Sequence, residues 1–169
     1  MQFKRISIIG QNGTGKTTLG RSLSKQLSLP IVHMDTYIWG PHWKENDRDQ
    51  AEQKIQNILI SQESWIAEGY LNYAPREILQ LADLVIYLDY SNFRAFWNNI
   101  KRWIKHRKTR RAELPEGCEE NFKPHKWIHV FNEGGVKQLI RDALVKYPPK
   151  NIVRVQSPKE LKNFIKTLL

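Results

Sequence analysis

The chain has 169 residues, 40% of them hydrophobic and 26% charged, a length and balance that suit one globular domain with a real core. Its one cysteine, Cys118, excludes an internal disulfide and argues against a cysteine-caged zinc site, and no apolar run approaches bilayer length. A formal net charge of +10 predicts anionic partners, and the cations concentrate between Lys101 and Arg111.

The opening "MQFKRISIIGQNG" has a short apolar stretch but no small-residue cleavage site, so a signal peptide is not expected, and the lone cysteine fits a reducing, cytoplasmic setting. Apolar runs then alternate with helical patterns, which predicts a parallel α/β sheet without internal repeats or linkers. The first strand is expected over residues 3–9 and the first helix from Gly15 or Lys16 to Leu27, with Leu19, Leu23 and Leu27 on one face. "IVHMD" (31–35) reads as the second strand, and "YIWGPHW" (37–43) as an aromatic loop punctuated by Gly40 and Pro41. A helix over 48–62, a short strand over 64–69 and a short helix over 75–82 follow. "DLVIYLD" (83–89) is the clearest strand, apolar enough to be buried on both faces.

Residues 92–108 form an amphipathic pattern, with Phe93, Phe96, Trp97, Ile100, Trp103 and Ile104 on one face and Arg94, Lys101, Lys105 and Lys108 on another. The stretch 109–125 has no clear period and reads as a long surface excursion. A helix from near Trp127 to Tyr147, interrupted at Gly134–Gly135, a strand over 152–156, and a final helix capped by Ser157 with Pro158 at its first position complete the chain.

The spacing G-x-x-x-x-G-K-T is met by Gly10, Gly15, Lys16 and Thr17, between the first strand and first helix. A loop of this kind turns successive backbone N–H groups onto phosphate oxygens, and the helix N-terminus behind it favours an anion. Gly10, Asn12, Gly13, Thr14, Gly15, Lys16, Thr17 and Thr18 are the expected nucleotide-binding set. Lys16 would place its ammonium on the terminal phosphates of ATP, and the Thr17 hydroxyl would bind Mg²⁺.

Ligands of open α/β sheets lie outside the carboxyl ends of the strands, where this sequence places Asp35, Glu68 and Asp89. Glu68 is assigned to a metal-bound water, with Gly69 allowing a sharp turn beside the phosphates. Asp35 is assigned to the acceptor, as base or as hydrogen-bond acceptor. For Asp89, capping of the following helix is as good a reading as function. Tyr37, Trp39 and Trp43 stand near Asp35, where they would either stack an acceptor ring or cover the sheet edge; Trp39 is the substrate-side candidate.

Past the long helix, Arg107, Arg110 and Arg111 are candidates to close over the nucleotide and neutralise charge on the transferred phosphoryl group, whereas Lys105 and Lys108 read as a solvated face. Arg107 and Arg111 are taken as catalytic, Arg107 also as nucleotide-binding and Arg110 as substrate-binding. Glu113, Glu116, Glu119 and Glu120 would pair with lid cations, and Cys118 reads as a packed lid residue.

Together the segments "GQNGTGKTTLG", "HMDTYIWGPHW", "WIAEGY", "ADLVIYLD", "KTRRAELPEGCEE" and "QSPKEL" resemble the adenylate-kinase-like small kinases of the P-loop superfamily. More narrowly they resemble the bacterial group known as DNA topology modulation proteins. The resemblance implies a P-loop three-layer α/β/α sandwich with a five-stranded parallel sheet of order 2-3-1-4-5. It implies a lid after the fourth strand, here about residues 107–125 of a single kinase-like domain spanning 1–169. It also implies an adenine site near Gln156–Pro158, hence Ser157, and an acceptor-side phosphate contact at Arg76. One departure stands out: Glu68-Gly69 is followed by Tyr70, and Pro75–Arg76 comes six residues later, so the acceptor need not be a nucleoside monophosphate.

The expected activity is Mg²⁺-dependent transfer of the γ-phosphoryl group of ATP to a nucleotide, nucleoside or other small acceptor, by a monomer or homodimer. The alternatives are a nucleic-acid-associated P-loop ATPase that lays the 101–111 cations on a phosphate backbone, and a nucleotide binder that no longer catalyses. No helix-turn-helix or other base-reading motif supports the former.

Overall fold

The computed structural model describes residues 3–69, 71, 76–107, 109, 111, 113–119 and 135–169. Five strands, β1 (Arg5–Gly10), β2 (Ile31–His33), β3 (Trp65–Glu68), β4 (Leu84–Leu88) and β5 (Ile152–Val155), form one sheet in the order β2-β3-β1-β4-β5. Every pairing is parallel, with Arg5 beside Trp65 and Ile6 beside Leu84. The helices are α1 (Lys16–Leu27), α2 (Asp35–Ile38), α3 (Arg48–Ser61), α4 (Ile78–Leu81), α5 (Asn92–His106), α6 (Val136–Lys146) and α7 (Pro158–Leu168). None is long and apolar enough to cross a membrane.

Each face of the sheet buries its own apolar cluster, as crossover helices on both sides require. On one face Ile6, Ile8, Ile66 and Ile86 pack under Leu19 and Leu23 of α1, with Leu161, Phe164 and Ile165 of α7 against them. On the other, Ile9, Trp65, Ala67, Val85 and Tyr87 pack under Ile38, Ile55, Leu59, Ile140 and Ala143. The all-apolar β4 is buried along its whole length, as its sequence requires, while edge strand β5 exposes Ile152.

The helix boundaries follow their local signals. Asp47 caps α3 by accepting the Gln50 N–H at 2.9 Å, Ser91 caps α5 by accepting the Arg94 N–H, and Ser157 caps α7 by accepting the Glu160 N–H. Two expectations are corrected. β2 stops at His33 and Asp35 opens the one-turn helix α2: the Met34 N–H makes the last rung of the ladder, to the Glu68 carbonyl, and the Tyr37 N–H then turns back onto the Met34 carbonyl. The aromatic loop begins only at Trp39, since Tyr37 and Ile38 belong to α2; its Gly40 and Pro41 do open a tight turn, Pro41–Trp43, with His42 and Trp43 at positive φ. α5 buries Ala95 and Asn99, while on its aromatic face Phe96, Ile100 and Trp103 are half-buried and Phe93 and Trp97 are 67% and 47% exposed. The helix expected from Trp127 is described from Val136 onward, and its earlier part, like residues 72–75 before Arg76, lies outside the described residues.

Candidate active site

β1 ends at Gly10 in the middle of the sheet, and the chain must reverse into α1 within five residues. Gly13 (φ 81°) and Gly15 (φ 89°) make that reversal in the left-handed region that side chains disfavour. At Gly13 a side chain is also sterically barred, since a Cβ would sit 2.3 Å from the Ala95 carbonyl. The loop is pressed onto α5 and held there. Asn98 donates to the Gly13 carbonyl at 2.8 Å and the buried Asn99 to the Asn12 carbonyl at 3.3 Å. Gln11 donates to the Tyr90 carbonyl and to Asn92 Oδ1, both at 3.2 Å, and Thr14 Oγ1 donates to the Gln11 carbonyl at 2.8 Å.

Lys16, the first residue of α1, is buried, and its Nζ donates to the carbonyls of Gly10 (2.9 Å) and Gln11 (3.1 Å). An ammonium has three donors, so one remains for a phosphate oxygen. Burial pushes the Lys16 pKa below the ordinary lysine value, and Asp35 and Glu68 work in the opposite direction. One residue on, Thr17 Oγ1 donates to Glu68 Oε2 at 3.1 Å, and the other carboxylate oxygen of the buried Glu68 lies 2.6 Å from His33 Nδ1. Glu68 and His33 are the last residues of the neighbouring strands β3 and β2, in register. His33 therefore fixes the carboxylate that faces Thr17.

These groups open into a cleft of about 910 Å³ walled by Asn12, Gly13, Thr14, Gly15, Lys16, Thr17, Thr18, Asp35, Glu68 and Arg111. The structure thus gathers most of the expected nucleotide set, the acids Asp35 and Glu68 and, of the arginines expected in a lid, Arg111. It adds residues the sequence reading passed over: Arg21, His33 and Arg102, together with Asn98, Leu161 and Ile165. Lys101 and Lys105 also line the cleft, and Lys105 is exposed there, in keeping with its reading as a solvated face. The signal was available, because Asn98, Lys101, Arg102 and Lys105 recur at helical i, i+3, i+4, i+7 spacing.

Other expected residues stand off the cleft wall. Arg107 lies exposed just beyond the end of α5. Ser157 is committed to its cap, where its hydroxyl also donates to Glu160 Oε1 at 3.0 Å. Trp39 packs against the core cluster and edge-on to Trp43, with ring centroids 5.7 Å apart. Gly69 is wedged against Met34, and Arg76 sits in the turn before α4. Arg110 lies outside the described residues. Asp89 is neither cap nor cleft residue: Lys137 reaches its Oδ1 at 3.0 Å and Arg154 Nε its Oδ2 at 2.8 Å, tying α6 and β5 to the end of β4.

Among the described residues there is no cluster of three or more His, Cys, Asp or Glu side chains able to cage a metal. The Thr17 hydroxyl and the Glu68 carboxylate nevertheless fit Mg²⁺. They are hard oxygen donors side by side at the phosphate loop, and Mg²⁺ is characteristically held by one or two protein oxygens plus water and phosphate.

Residues 12–121 match the profile of the family described as Shikimate kinase. Among curated proteins, an uncharacterized Bacillus subtilis (strain 168) protein, YqaC, is 33% identical over 88 residues, covering 50% of this chain and 48% of that protein. A shikimate kinase of Parabacteroides distasonis is 37% identical over 51 residues, covering 30% of each chain. The matched stretches thus span less than half of these curated relatives. Among solved structures, a shikimate kinase from Acinetobacter baumannii in complex with shikimate aligns over 98% of this chain and 90% of its own, with TM-score 0.55 and 20% identity. A deoxyadenosine kinase from M. mycoides with bound dATP aligns over 96% of this chain and 98% of its own, with TM-score 0.57 and 16% identity. At such identities the two structures share the fold.

Proposed function

The chain belongs to the shikimate kinase family, and from that premise we propose that it is a Mg²⁺-dependent small-molecule kinase, passing the γ-phosphoryl group of ATP to a small hydroxylated or phosphorylated acceptor. The observation that carries this reading is the meeting in one cleft of a buried lysine under the phosphate loop, the Thr17–Glu68 oxygen pair and the strand-end acid Asp35. A phosphate binder alone has no use for the acids.

In this reading the loop amides and Lys16 hold the β- and γ-phosphates, while Thr17 and Glu68 hold the metal, with His33 orienting Glu68. Mg²⁺, when bound, neutralises phosphate charge. Asp35, at the head of α2, accepts the proton of the acceptor hydroxyl or aligns that hydroxyl for in-line attack. Arg111 enters the cleft from the lid side to stabilise charge spreading over the transferred group, a role worth about 10³-fold or more in rate.

The basic residues also bear on the alternative suggested by the DNA topology modulation resemblance. Lys101, Arg102, Lys105 and Arg111 line the nucleotide cleft, so much of the positive charge has a phosphate partner without invoking nucleic acid.

The test is ADP release from MgATP across a panel of acceptors: shikimate first, given the family, then nucleosides, monophosphates, sugars and small hydroxy acids. One acceptor should raise ADP release well above the rate with water, and Lys16→Ala should abolish that turnover while leaving the circular dichroism spectrum unchanged. Wild-type turnover in Lys16→Ala, or stimulation by DNA alone, would reject the proposal.

A further inference from the structure

The segment after α5 returns to the body of the protein at two places that the chemistry above does not use. At the first, the carboxylate of Glu113, almost fully buried, takes Arg21 of α1 at 2.5 Å and Arg111 at 3.3 Å. Burial opposes the Glu113 charge. Its backbone hydrogen bond and the two arginines outweigh that cost and hold the carboxyl below the usual range. At the second, the Gly40–Trp43 turn and residues 116–119 interlock. The His42 N–H donates to the Glu116 carbonyl at 3.0 Å, and the Trp43 indole donates to the Glu119 carbonyl at 2.8 Å. The fully buried Cys118 thiol donates to the Gly40 carbonyl and accepts the Trp43 N–H, both at 3.3 Å. The fit is close enough that a Cβ on Gly117 would meet the His42 ring at 2.1 Å. His42 and Trp43 hold φ of 56° and 59°, a conformation disfavoured for such side chains unless neighbours enforce it.

We propose that Glu113 is the positioning residue for Arg111, and that the interlocked turns make the lid arginine and the loop beside Asp35 move as one body. This rests on reading the cleft as the nucleotide donor site. Glu113 joins Arg111 to α1, the helix whose N-terminus carries the phosphate loop, so the bridge holds the guanidinium at the cleft wall. The Gly40–Trp43 turn begins two residues after α2, whose first residue is Asp35. A displacement at the acceptor side is therefore passed through Trp43 and Cys118 to the lid, and occupancy of one side organises the other.

Because Cys118 is the chain's one cysteine and is fully buried, the rate at which a disulfide reagent such as dithiobis-nitrobenzoate labels it reads the opening of the turns without background. Glu113→Gln should speed labelling by about tenfold and Arg21→Ala by no more than that, and the double variant should label no faster than Glu113→Gln alone, because Arg21→Ala removes one arm of the bridge that Glu113→Gln breaks. Trp43→Phe should speed it as well. Saturating MgATP should slow labelling in the wild type and leave it unchanged in Arg111→Ala.

The proposal is overturned if Glu113→Gln and Arg21→Ala label at the wild-type rate, if their effects multiply, or if MgATP protects Arg111→Ala as fully as the wild type. It is also overturned if labelling merely tracks the thermal midpoint of each variant, since opening would then be global unfolding. Calorimetric titration with MgATP separates the two readings. Failure to bind nucleotide would sink the donor-site assignment, while labelling of the nucleotide-free variants still decides the Glu113 bridge.

Discussion

Lys16 holds its proton less tightly than an ordinary lysine, because burial outweighs the favourable charges of Asp35 and Glu68. Burial lowers its proton affinity, and the two carbonyls it touches offer partial charge only. Polyphosphate brought against the same nitrogen would raise that affinity again. Binding of MgATP should therefore take up protons at alkaline pH, between the depressed pKa of the free protein and the higher value of the complex. Calorimetry in buffers of different ionisation enthalpy measures this, and Lys16→Arg should abolish the uptake, since arginine does not titrate there. Asp89 carries the opposite sign. Burial disfavours its charge, but hydrogen bonds from Lys137 and Arg154 prevail and depress its pKa. A carboxyl depressed on folding stabilises the protein above its unfolded pKa, about 3.9, and loses that contribution as pH falls through the folded value. Asp89→Asn should cost about 1–3 kcal/mol at pH 7, Arg154 being solvent-exposed, and the difference in urea midpoint should close below about pH 4. That Asp89 is an anchor was not legible in sequence, since its partners lie 48 and 65 residues downstream.

At the scale of elements, α5 is the brace of the phosphate loop. Its buried face is Ala95 and Asn99, and its asparagines hold two loop carbonyls that would otherwise be free to turn into the cleft. Asn99→Ala should weaken MgATP binding about tenfold, the equivalent of one lost buried hydrogen bond, and lower the thermal midpoint by several degrees. Unchanged nucleotide affinity in that variant would mean the loop holds its shape unaided. The glycine spacing, the cap residues and the apolar runs of β1 and β4 declare themselves locally, and they placed the loop, both strand-end acids and most helix boundaries. The asparagine brace does not, because Asn98 and Asn99 in a helix are indistinguishable from surface polar residues until a partner 85 residues away is known. The segment after α5 was opaque for the same reason. The sequence over 109–119 has no periodicity, and what holds Glu116, Cys118 and Glu119 is the Gly40–Trp43 turn, some 75 residues upstream.

For the whole molecule the net charge of +10 is not evenly spent, since Lys101, Arg102, Lys105, Arg111 and Lys16 face one cleft. Such a cleft attracts polyanions at a distance but contacts a triphosphate through only a few groups. MgATP affinity should fall by less than about tenfold between 50 and 200 mM salt, whereas a protein laying six or more cations on a duplex would lose about 10³-fold over that range. Parallel titrations with ATP and with duplex DNA decide which polyanion the charge serves. The order of the strands came from resemblance rather than from any run of residues, because periodicity identifies a strand but not its neighbours.

That order has a consequence for biosynthesis. β1, with the phosphate loop at its tip, pairs with strands beginning at Trp65 and Leu84 and with no strand nearer in sequence. A ribosome extruding this polypeptide releases "GQNGTGKT" long before anything can shape it. The anion cradle gains its walls only when Leu88 has emerged and its brace only with Asn98 and Asn99. On the function proposed above, ATP would therefore stabilise the chain only after these elements are complete.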